Sequence, residues 1–323
     1  MKLYKLKEKI LQGYQLSQQE ALELVGEDLE LLCKYANEIR QYFCGNKFDV
    51  CTIINAKSGR CSENCKYCAQ SAHYPTACDE YPLLSSEELK KGAIHNAKQG
   101  VMRYSIVTSG RNLNNVEIEA VCEAAKSMRE VPIKLCGSFG LLETEQYQKL
   151  YQAGITRMHN NLETSERNFP NMCSTHSFQD KVASIQEAQA AGMYICSGGI
   201  MGIGEQFEDR IDLAFSLKAL HVQSVPLNML IPVKGTPYEH LPRISEAEFK
   251  RTIAIFRFIL PTAFIRLAGG RGNMSDAGYS LFESGANATI TGDMLTTVGI
   301  SIEEDIRKIK EMGFDCKLKS ASY

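Results

Sequence analysis

Three cysteines, Cys61, Cys65 and Cys68, are the residues of this chain best suited to carry chemistry. They stand in the run Cys-Ser-Glu-Asn-Cys-Lys-Tyr-Cys, which has CxxxCxxC spacing and directly follows a β-rich stretch. Three thiolates can hold three irons of a 4Fe-4S cluster, so the fourth iron lacks a protein ligand and is open to a further molecule. The alternative is a zinc site, but structural zinc normally takes four ligands, and the fourth would have to be His73.

This motif resembles that of the radical S-adenosylmethionine (SAM) family. The resemblance implies that the open iron chelates SAM and that an electron from the cluster breaks the sulfonium to give a 5′-deoxyadenosyl radical. Tyr67 would lie beside the adenine, and Thr108, Ser109 and Gly110 would meet the methionine amino group. The family's GxIxGxxE motif, which packs near adenine, is matched by Gly198, Ile200, Gly202 and Glu205.

Polar residues interrupt several predicted strands whose side chains should be aliphatic in a barrel. Each has an ordinary explanation by itself, such as a buried cysteine that packs as a small apolar group. Together with the cysteine motif, they indicate one ligand cavity. These residues are Cys136, Asn161, Glu163, Cys196, Asn228 and Arg266.

Eight short apolar runs, beginning near residues 50, 103, 133, 155, 194, 224, 264 and 287, alternate with helical patterns. Such alternation predicts parallel strands and a TIM-type (β/α)8 barrel, with ligands at the C-terminal ends of the strands. A doubly wound open sheet is the alternative architecture. We expect a helical N-terminal extension over residues 1–47 and the barrel over 48–323, as a single domain overall.

Composition narrows the class of partner. The chain has 323 residues, 44% of them hydrophobic, and a net charge of −2, which gives no electrostatic reason to expect nucleic acid or an anionic membrane. No run of eighteen apolar residues predicts a membrane span, and we expect a cytoplasmic protein. Twelve cysteines in such a protein favour metal or redox chemistry over disulfides.

A closer resemblance runs over roughly residues 55–297. The phrases CKYCAQSAHY, NNLETS, CSGGIMGIGE, SVPLNMLIPVKGTP and IRLAGGR are similar to those of the biotin synthase family. The resemblance implies sulfur insertion into dethiobiotin, a ferredoxin or flavodoxin electron donor, and a homodimer. It implies that Asn161 and Glu163 bind the SAM ribose and that Asn161 and Asn228 bind the ureido ring. The substrate carboxylate would meet Thr296, Thr297 and Arg103.

The chain departs from this family at its auxiliary cluster, usually a 2Fe-2S unit held by three cysteines and an arginine. Cys136, Cys196 and Arg266 match, but Ser105 stands where the third cysteine is usual. We hypothesise that Cys78 and Cys173 join Cys136 and Cys196 around a four-iron auxiliary cluster, which carries an extra sulfide as sulfur donor. The remaining cysteines are interpreted as packing or surface thiols: Cys33, Cys44, Cys51, Cys122 and Cys316.

The chain also departs from the family at the residue expected to bind the SAM ribose. Glu163 stands where the family commonly has Asp, although its longer side chain still reaches a ribose.

The alternative functions are a related radical enzyme, of the hydrogenase-maturation or pyrrolysine-biosynthesis type, and a non-catalytic iron-sulfur scaffold. A scaffold has no reason to bury Asn161, Glu163 and Asn228.

Overall fold

The computed structural model describes residues 2–293 and 299–316. Its strands are β1 Asp49–Lys57, β2 Arg103–Thr108, β3 Lys134–Ser138, β4 Ile155–His159, β5 Tyr194–Cys196, β6 Gly199–Met201, β7 Ser224–Met229, β8 Phe264–Leu267 and β9 Ala288–Ile290. Its α-helices are α1 Leu3–Leu11, α2 Gln18–Glu23, α3 Leu29–Cys44, α4 Ser86–Lys98, α5 Asn115–Ser127, α6 Thr144–Ala153, α7 Phe169–Met172, α8 Phe178–Ala190, α9 Phe207–Ala219, α10 Glu246–Ile259 and α11 Ile302–Glu311.

The strands form one parallel sheet in the order β5-β4-β3-β2-β1-β9-β8-β7-β6. β5 and β6 are two parts of one barrel strand, which is interrupted at Ser197 and Gly198. β5 also pairs with β7 through Cys196 and Ser224, and this pairing closes the sheet into an eight-stranded barrel. The predicted (β/α)8 barrel is therefore confirmed, and all eight predicted strands are present.

Polar side chains begin several of the helices that cover the barrel. Ser85, Asn114 and Ser177 each cap a helix by accepting a hydrogen bond from the backbone three residues later. In each case the acidic residue at that third position bonds back to the cap, which completes a capping box. These caps begin α4, α5 and α8, which follow loops at the mouth of the barrel.

The N-terminal helices lie against the outside of the barrel, where α3 packs on α10 and α2 packs on α9. α2 and α3 are separate helices, and Asp28 caps α3 by accepting a hydrogen bond from Leu31 N at 2.9 Å. The division into an extension over 1–47 and a barrel stays a prediction. No described helix is long and apolar enough to cross a membrane.

A buried ion network links three strands inside the barrel. Arg103 Nε donates to Asp49 Oδ2 at 2.6 Å, and Arg266 Nη2 donates to Asp49 Oδ1. Although burial alone would raise the pKa of Asp49, the charges of Arg266 and Arg103 hold it well below its usual range. Asp49 therefore stays ionised and compensates two buried guanidinium groups.

Replacing this carboxylate should destabilise the barrel. Asp49→Asn keeps the shape but leaves Arg103 and Arg266 without their counter-charge, so we expect the free energy of unfolding to fall by about 3–5 kcal/mol. Urea unfolding of the cluster-free protein, followed by circular dichroism, measures this change. Glu311→Gln, which breaks the exposed pair with Arg307, is the control and should cost under about 1 kcal/mol. Equal effects of the two substitutions would contradict the structural importance of Asp49.

Candidate active site

A cavity of about 380 Å³ extends from the C-terminal ends of the strands into the barrel. Every strand contributes to its wall, because alternate side chains of a barrel strand point inwards. The wall includes Cys51, Ser105, Cys136, Arg157, Cys196, Ile200, Asn228, Arg266 and Ile290. Tyr67 and Cys68, from the loop after β1, line its upper part.

The loop after β1 presents the three motif cysteines, Cys61, Cys65 and Cys68, all of which are half-buried. Ser71 Oγ donates to the backbone oxygen of Glu63 at 2.7 Å and holds this loop together. Burial raises the pKa of Cys68 to about 11. Three grouped thiols of this kind suit the soft iron of a 4Fe-4S cluster.

His73 does not support the zinc alternative. Its side chain is exposed, and its Nε2 atom is 2.9 Å from the backbone oxygen of Ser62, so the ring is engaged in the loop itself. In the described structure, His73 is therefore not placed as a fourth ligand beside the three motif thiols.

Two cysteines expected at the auxiliary cluster, Cys78 and Cys173, lie outside the cavity of the described structure, and their place in that cluster stays a prediction. Cys173 Sγ is 3.7 Å from Cys65 Sγ, because Lys66 N donates to Met172 O and fastens this loop to the motif loop. Cys78 Sγ is 3.6 Å from Ser58 Oγ, in the segment whose Tyr81 forms an antiparallel bridge with Ser58. Neither cysteine lines the cavity that contains Cys136 and Cys196.

The residues expected at the SAM ribose lie together beside Tyr67. The Tyr67 hydroxyl donates to Glu163 Oε1 at 3.0 Å, and Asn161 Nδ2 donates to Glu163 Oε2 at 3.3 Å. Glu163 has φ of +71°, a left-handed conformation that is rare for a residue with a side chain. Burial raises the pKa of Glu163 and that of Tyr67. This buried group of polar side chains matches the predicted ribose and adenine contacts.

Thr108 and Ser109 have different surroundings at the end of β2. Ser109 Oγ donates to Gly59 O at 2.8 Å and so supports the motif loop. Thr108 Oγ1 is buried and has no hydrogen-bond partner in the described structure. Thr108, Ser109 and Gly110 do not line the cavity, and their contact with the methionine part of SAM stays a prediction. Gly110, at φ of +113°, ends the strand.

The segment that matches GxIxGxxE forms a hydrogen-bonded turn near the mouth of the cavity. A Cβ atom at Gly198 would lie 1.8 Å from Pro226 O, so glycine allows the close approach of β7. Glu205 accepts hydrogen bonds from Gly202 N at 2.8 Å and from Ile203 N at 2.7 Å. Glu205 thus fixes the turn, while Ile200 itself lines the cavity.

Some of the predicted substrate residues line the cavity, and others lie outside the described part of the chain. Asn228 lines the cavity, and its Oδ1 accepts from Gly269 N at 2.8 Å while its Nδ2 donates to Gly199 O at 3.2 Å. Arg103 also lines the cavity and is paired with Asp49. Thr296 and Thr297 lie outside the described residues. The substrate contacts of all four stay predictions.

Three buried thiols share the lower part of the cavity: Cys51, Cys136 and Cys196. A hydrogen bond between the Cys51 and Cys136 thiols lowers the pKa of Cys136 and raises that of Cys51. Burial opposes ionisation of Cys196, but its hydrogen bond with His159 and the charges of His159, Arg266 and Arg157 together outweigh this and lower its pKa to about 7. Cys51, which was interpreted as a packing or surface thiol, is therefore a buried thiol that lines the cavity.

Two arginines at this depth differ in their contacts. All three guanidinium nitrogens of Arg266 donate, to Ser224 Oγ, to the backbone of Thr289 and to Asp49. Arg157 is only 4% exposed, yet its Nε and Nη1 atoms have no partner in the described structure. A buried, unpaired cation beside three thiols suits an anionic group such as an iron-sulfur cluster.

Sequence reasoning missed Cys51, Arg157 and His159. The available signal was the period of two along each strand, since Arg157 and His159 precede Asn161 and Glu163 on the same face of β4. Cys51 stands two residues before Ile53 on the inward face of β1.

Comparison with known proteins agrees with this site. Residues 56–217 match the Radical SAM superfamily, and residues 226–315 match the Biotin and Thiamin Synthesis associated domain. The biotin synthase of Brachyspira hyodysenteriae is 54% identical over 98% of this chain and 96% of that protein. The biotin synthase of Akkermansia muciniphila is 51% identical over 96% of this chain and 97% of that protein.

Two solved structures share the fold. Methylornithine synthase (PylB) has a TM-score of 0.81 at 20% identity, covering 96% of each chain. The FeFe-hydrogenase maturase HydG from Carboxydothermus hydrogenoformans has a TM-score of 0.81 at 19% identity, covering 96% of this chain and 78% of that chain. At this identity the likeness concerns the barrel alone.

Glu163 gives a direct test of the SAM site. Glu163→Gln keeps the size of the side chain but removes the carboxylate that would accept from two ribose hydroxyls, so we expect roughly tenfold weaker SAM binding. Anaerobic equilibrium dialysis with the reconstituted protein measures the affinity. Glu166→Gln, at an exposed position, is the control. Unchanged affinity in Glu163→Gln would remove this residue from the SAM site.

Proposed function

The chain belongs to the biotin synthase family and is a radical SAM sulfurtransferase. We propose that it inserts sulfur into dethiobiotin within the cavity of the barrel. The observation that carries the proposal is the group of three buried thiols, Cys51, Cys136 and Cys196, at the floor of the cavity. They lie below the predicted SAM residues, so that dethiobiotin would be held between its radical source and its sulfur source.

When bound, SAM and the clusters supply two 5′-deoxyadenosyl groups, which take one hydrogen atom each from dethiobiotin, and one sulfide, which forms two C–S bonds and gives two electrons to iron. The protein provides position and exclusion of water. Asn161 and Glu163 orient SAM at the mouth, and Asn161 with Asn228 would orient the ureido ring. Aliphatic wall residues such as Ile200 and Ile290 keep the space between them dry.

The three thiols occupy alternate strands of the barrel. Cys51 is on the first strand, Cys136 on the third and Cys196 on the fifth, and Arg266 is on the seventh. In TIM barrels, inward side chains from alternate strands form one layer of four. Ser105, where the family usually has its third cysteine, is on the second strand and so belongs to a different layer. Cys51 thus replaces the missing thiol within the layer of the other two.

A set of three thiolates supports a four-iron auxiliary cluster. As at the first cluster, three protein ligands leave a fourth iron open. That open position can carry an additional sulfide, which would be the sulfur inserted into the substrate. Arg266 is fully engaged with protein acceptors, so we assign it to the surroundings of the cluster rather than to its ligands.

The alternative enzymes have weaker support. The relatives named biotin synthase share 51–54% identity with this chain, whereas methylornithine synthase and HydG share 20% or less. A scaffold without substrate does not account for buried Asn161, Glu163 and Asn228. Each SAM needs one electron from outside the chain, and the ferredoxin or flavodoxin donor, the homodimer and the cytoplasmic location stay predictions.

Product analysis tests the function. We expect the anaerobically reconstituted, dithionite-reduced protein to form biotin and 5′-deoxyadenosine from SAM and dethiobiotin, both measured by mass spectrometry. Omitting dethiobiotin is the control for substrate dependence. Formation of 5′-deoxyadenosine without biotin would assign the chain to another substrate, and absence of both products would support a scaffold.

Cysteine substitutions test the auxiliary ligands. Cys51→Ala should lose the iron of the auxiliary cluster while keeping that of the first cluster, because a methyl group cannot ligate iron. Iron analysis and Mössbauer spectroscopy measure both populations. Cys122→Ala, on α5 outside the barrel, is the matched control.

The earlier ligand set can be excluded by the same measurement. Cys78→Ala and Cys173→Ala should keep the auxiliary iron, since neither thiol lines the cavity. Loss of auxiliary iron in these two variants, with full iron in Cys51→Ala, would restore the earlier set. A spectrum of the wild-type protein with only a two-iron auxiliary centre would contradict the four-iron proposal.

A further inference from the structure

The guanidinium of Arg157 has no role in the reaction described so far. It is on β4, is 4% exposed, and leaves Nε and Nη1 without a hydrogen-bond partner. Burying an unpaired cation is costly, so such a group normally has an anionic or strongly polar partner. The described protein does not supply one to these two nitrogens.

The charges around Arg157 do not balance. Three arginines, Arg103, Arg157 and Arg266, lie inside the lower barrel, and Asp49 is paired with only two of them. Glu163, the carboxylate that lines the cavity, lies after the end of β4 and accepts a hydrogen bond from Tyr67. Arg157 therefore has no carboxylate paired with it, and it shares the floor of the cavity with the thiols.

The position of Arg157 brings it to the sulfur side of the cavity. In the sheet register, Arg157 pairs with Cys136 of β3 and with Tyr194 of β5, and His159 pairs with Cys196. Neighbouring strands are about 4.8 Å apart, so the Arg157 side chain starts directly beside the Cys136 thiol. Asn161, which is expected to meet the substrate ring, is four residues further towards the mouth.

Arg157 also borders a second cavity. This space of about 550 Å³ lies at the opposite end of the barrel, where the chain enters its strands. Its wall includes Tyr14, Tyr194, Lys218 and His221, and Arg157 belongs to the walls of both cavities. A small anion held by this guanidinium would thus be in reach of both spaces.

We propose that Arg157 binds the sulfide that is transferred to the substrate, as a hydrosulfide-binding site at the floor of the barrel. This inference rests on the proposed function, because it concerns the additional sulfide of the auxiliary cluster. Guanidinium N–H groups donate in a fixed planar arrangement and stay charged at all working pH values, which suits a small, soft anion that must be replaced after each turnover.

Arg157 differs from Arg266 in this respect. Arg266 donates to protein acceptors from all three nitrogens, so it cannot release a donor for sulfide without breaking its contacts to Asp49 and Thr289. Arg157 Nε and Nη1 have no protein acceptor in the described structure, so binding an anion would break no existing hydrogen bond of these two nitrogens. The arginine that serves the sulfur donor is accordingly on β4 rather than on β8.

The test compares iron and acid-labile sulfide in reconstituted full-length protein. In Arg157→Met, which removes the donors while keeping a long side chain, we expect wild-type iron but one sulfide fewer per chain. After incubation with ³⁴S-sulfide, biotin from a single turnover should contain at least tenfold less ³⁴S, while 5′-deoxyadenosine still forms. Arg157→Lys, which keeps the charge, should recover part of the label. Arg129→Met, at an exposed position outside the cavity, is the control.

Three results would overturn the inference. The first is unchanged sulfide and ³⁴S incorporation in Arg157→Met. The second is a raised KM for dethiobiotin with normal sulfide, which would make Arg157 a carboxylate contact. The third is loss of auxiliary iron in both Arg157 variants, which would make it a structural residue. Failure of the proposed function is recognised separately, by auxiliary iron that persists in Cys51→Ala.

Discussion

The ionised carboxylate of Asp49 is the constraint on which the interior of this barrel depends. It is buried, it stands near the start of β1, and it accepts from Arg103 of β2 and Arg266 of β8. A barrel of this size would normally fill its lower layers with aliphatic side chains. Here charged groups occupy them, and one carboxylate connects strands on either side of β1. Asp49 connects β1 to β2 and β8 through two ion pairs. It pairs with two of the three buried guanidinium groups, and the third, Arg157, lines the cavity floor without a paired carboxylate.

The functional residues are ordered by depth along the strands. On β4 and the residues after it, Arg157, His159, Asn161 and Glu163 share one face and lead from the floor to the mouth. One segment of the chain therefore brings residues to the floor, the middle and the mouth of the cavity.

The sequence predicted much of this arrangement because periodicity and local motifs are local properties. The eight strands, the motif cysteines and the polar residues at strand ends could all be identified without the fold. Cys51 could not be assigned, since its neighbours at the cavity floor come from β3 and β5, far away in the chain. The contact of Cys173 with Cys65 could not be predicted for the same reason, because the two residues are 108 positions apart. Ser105 marked a departure from the family, but only the closed barrel brings Cys51 into the same cavity as Cys136 and Cys196.

The contact between Cys65 and Cys173 also has a consequence for the biogenesis of the protein. Two free thiols whose sulfur atoms are 3.7 Å apart are poised for oxidation, in which oxygen accepts two electrons and two protons and the sulfurs become bonded. Such a bond would remove Cys65 from the first cluster before iron arrives. Insertion of that cluster therefore protects its own ligand, and newly made chains need a thiol reductant until the iron is in place.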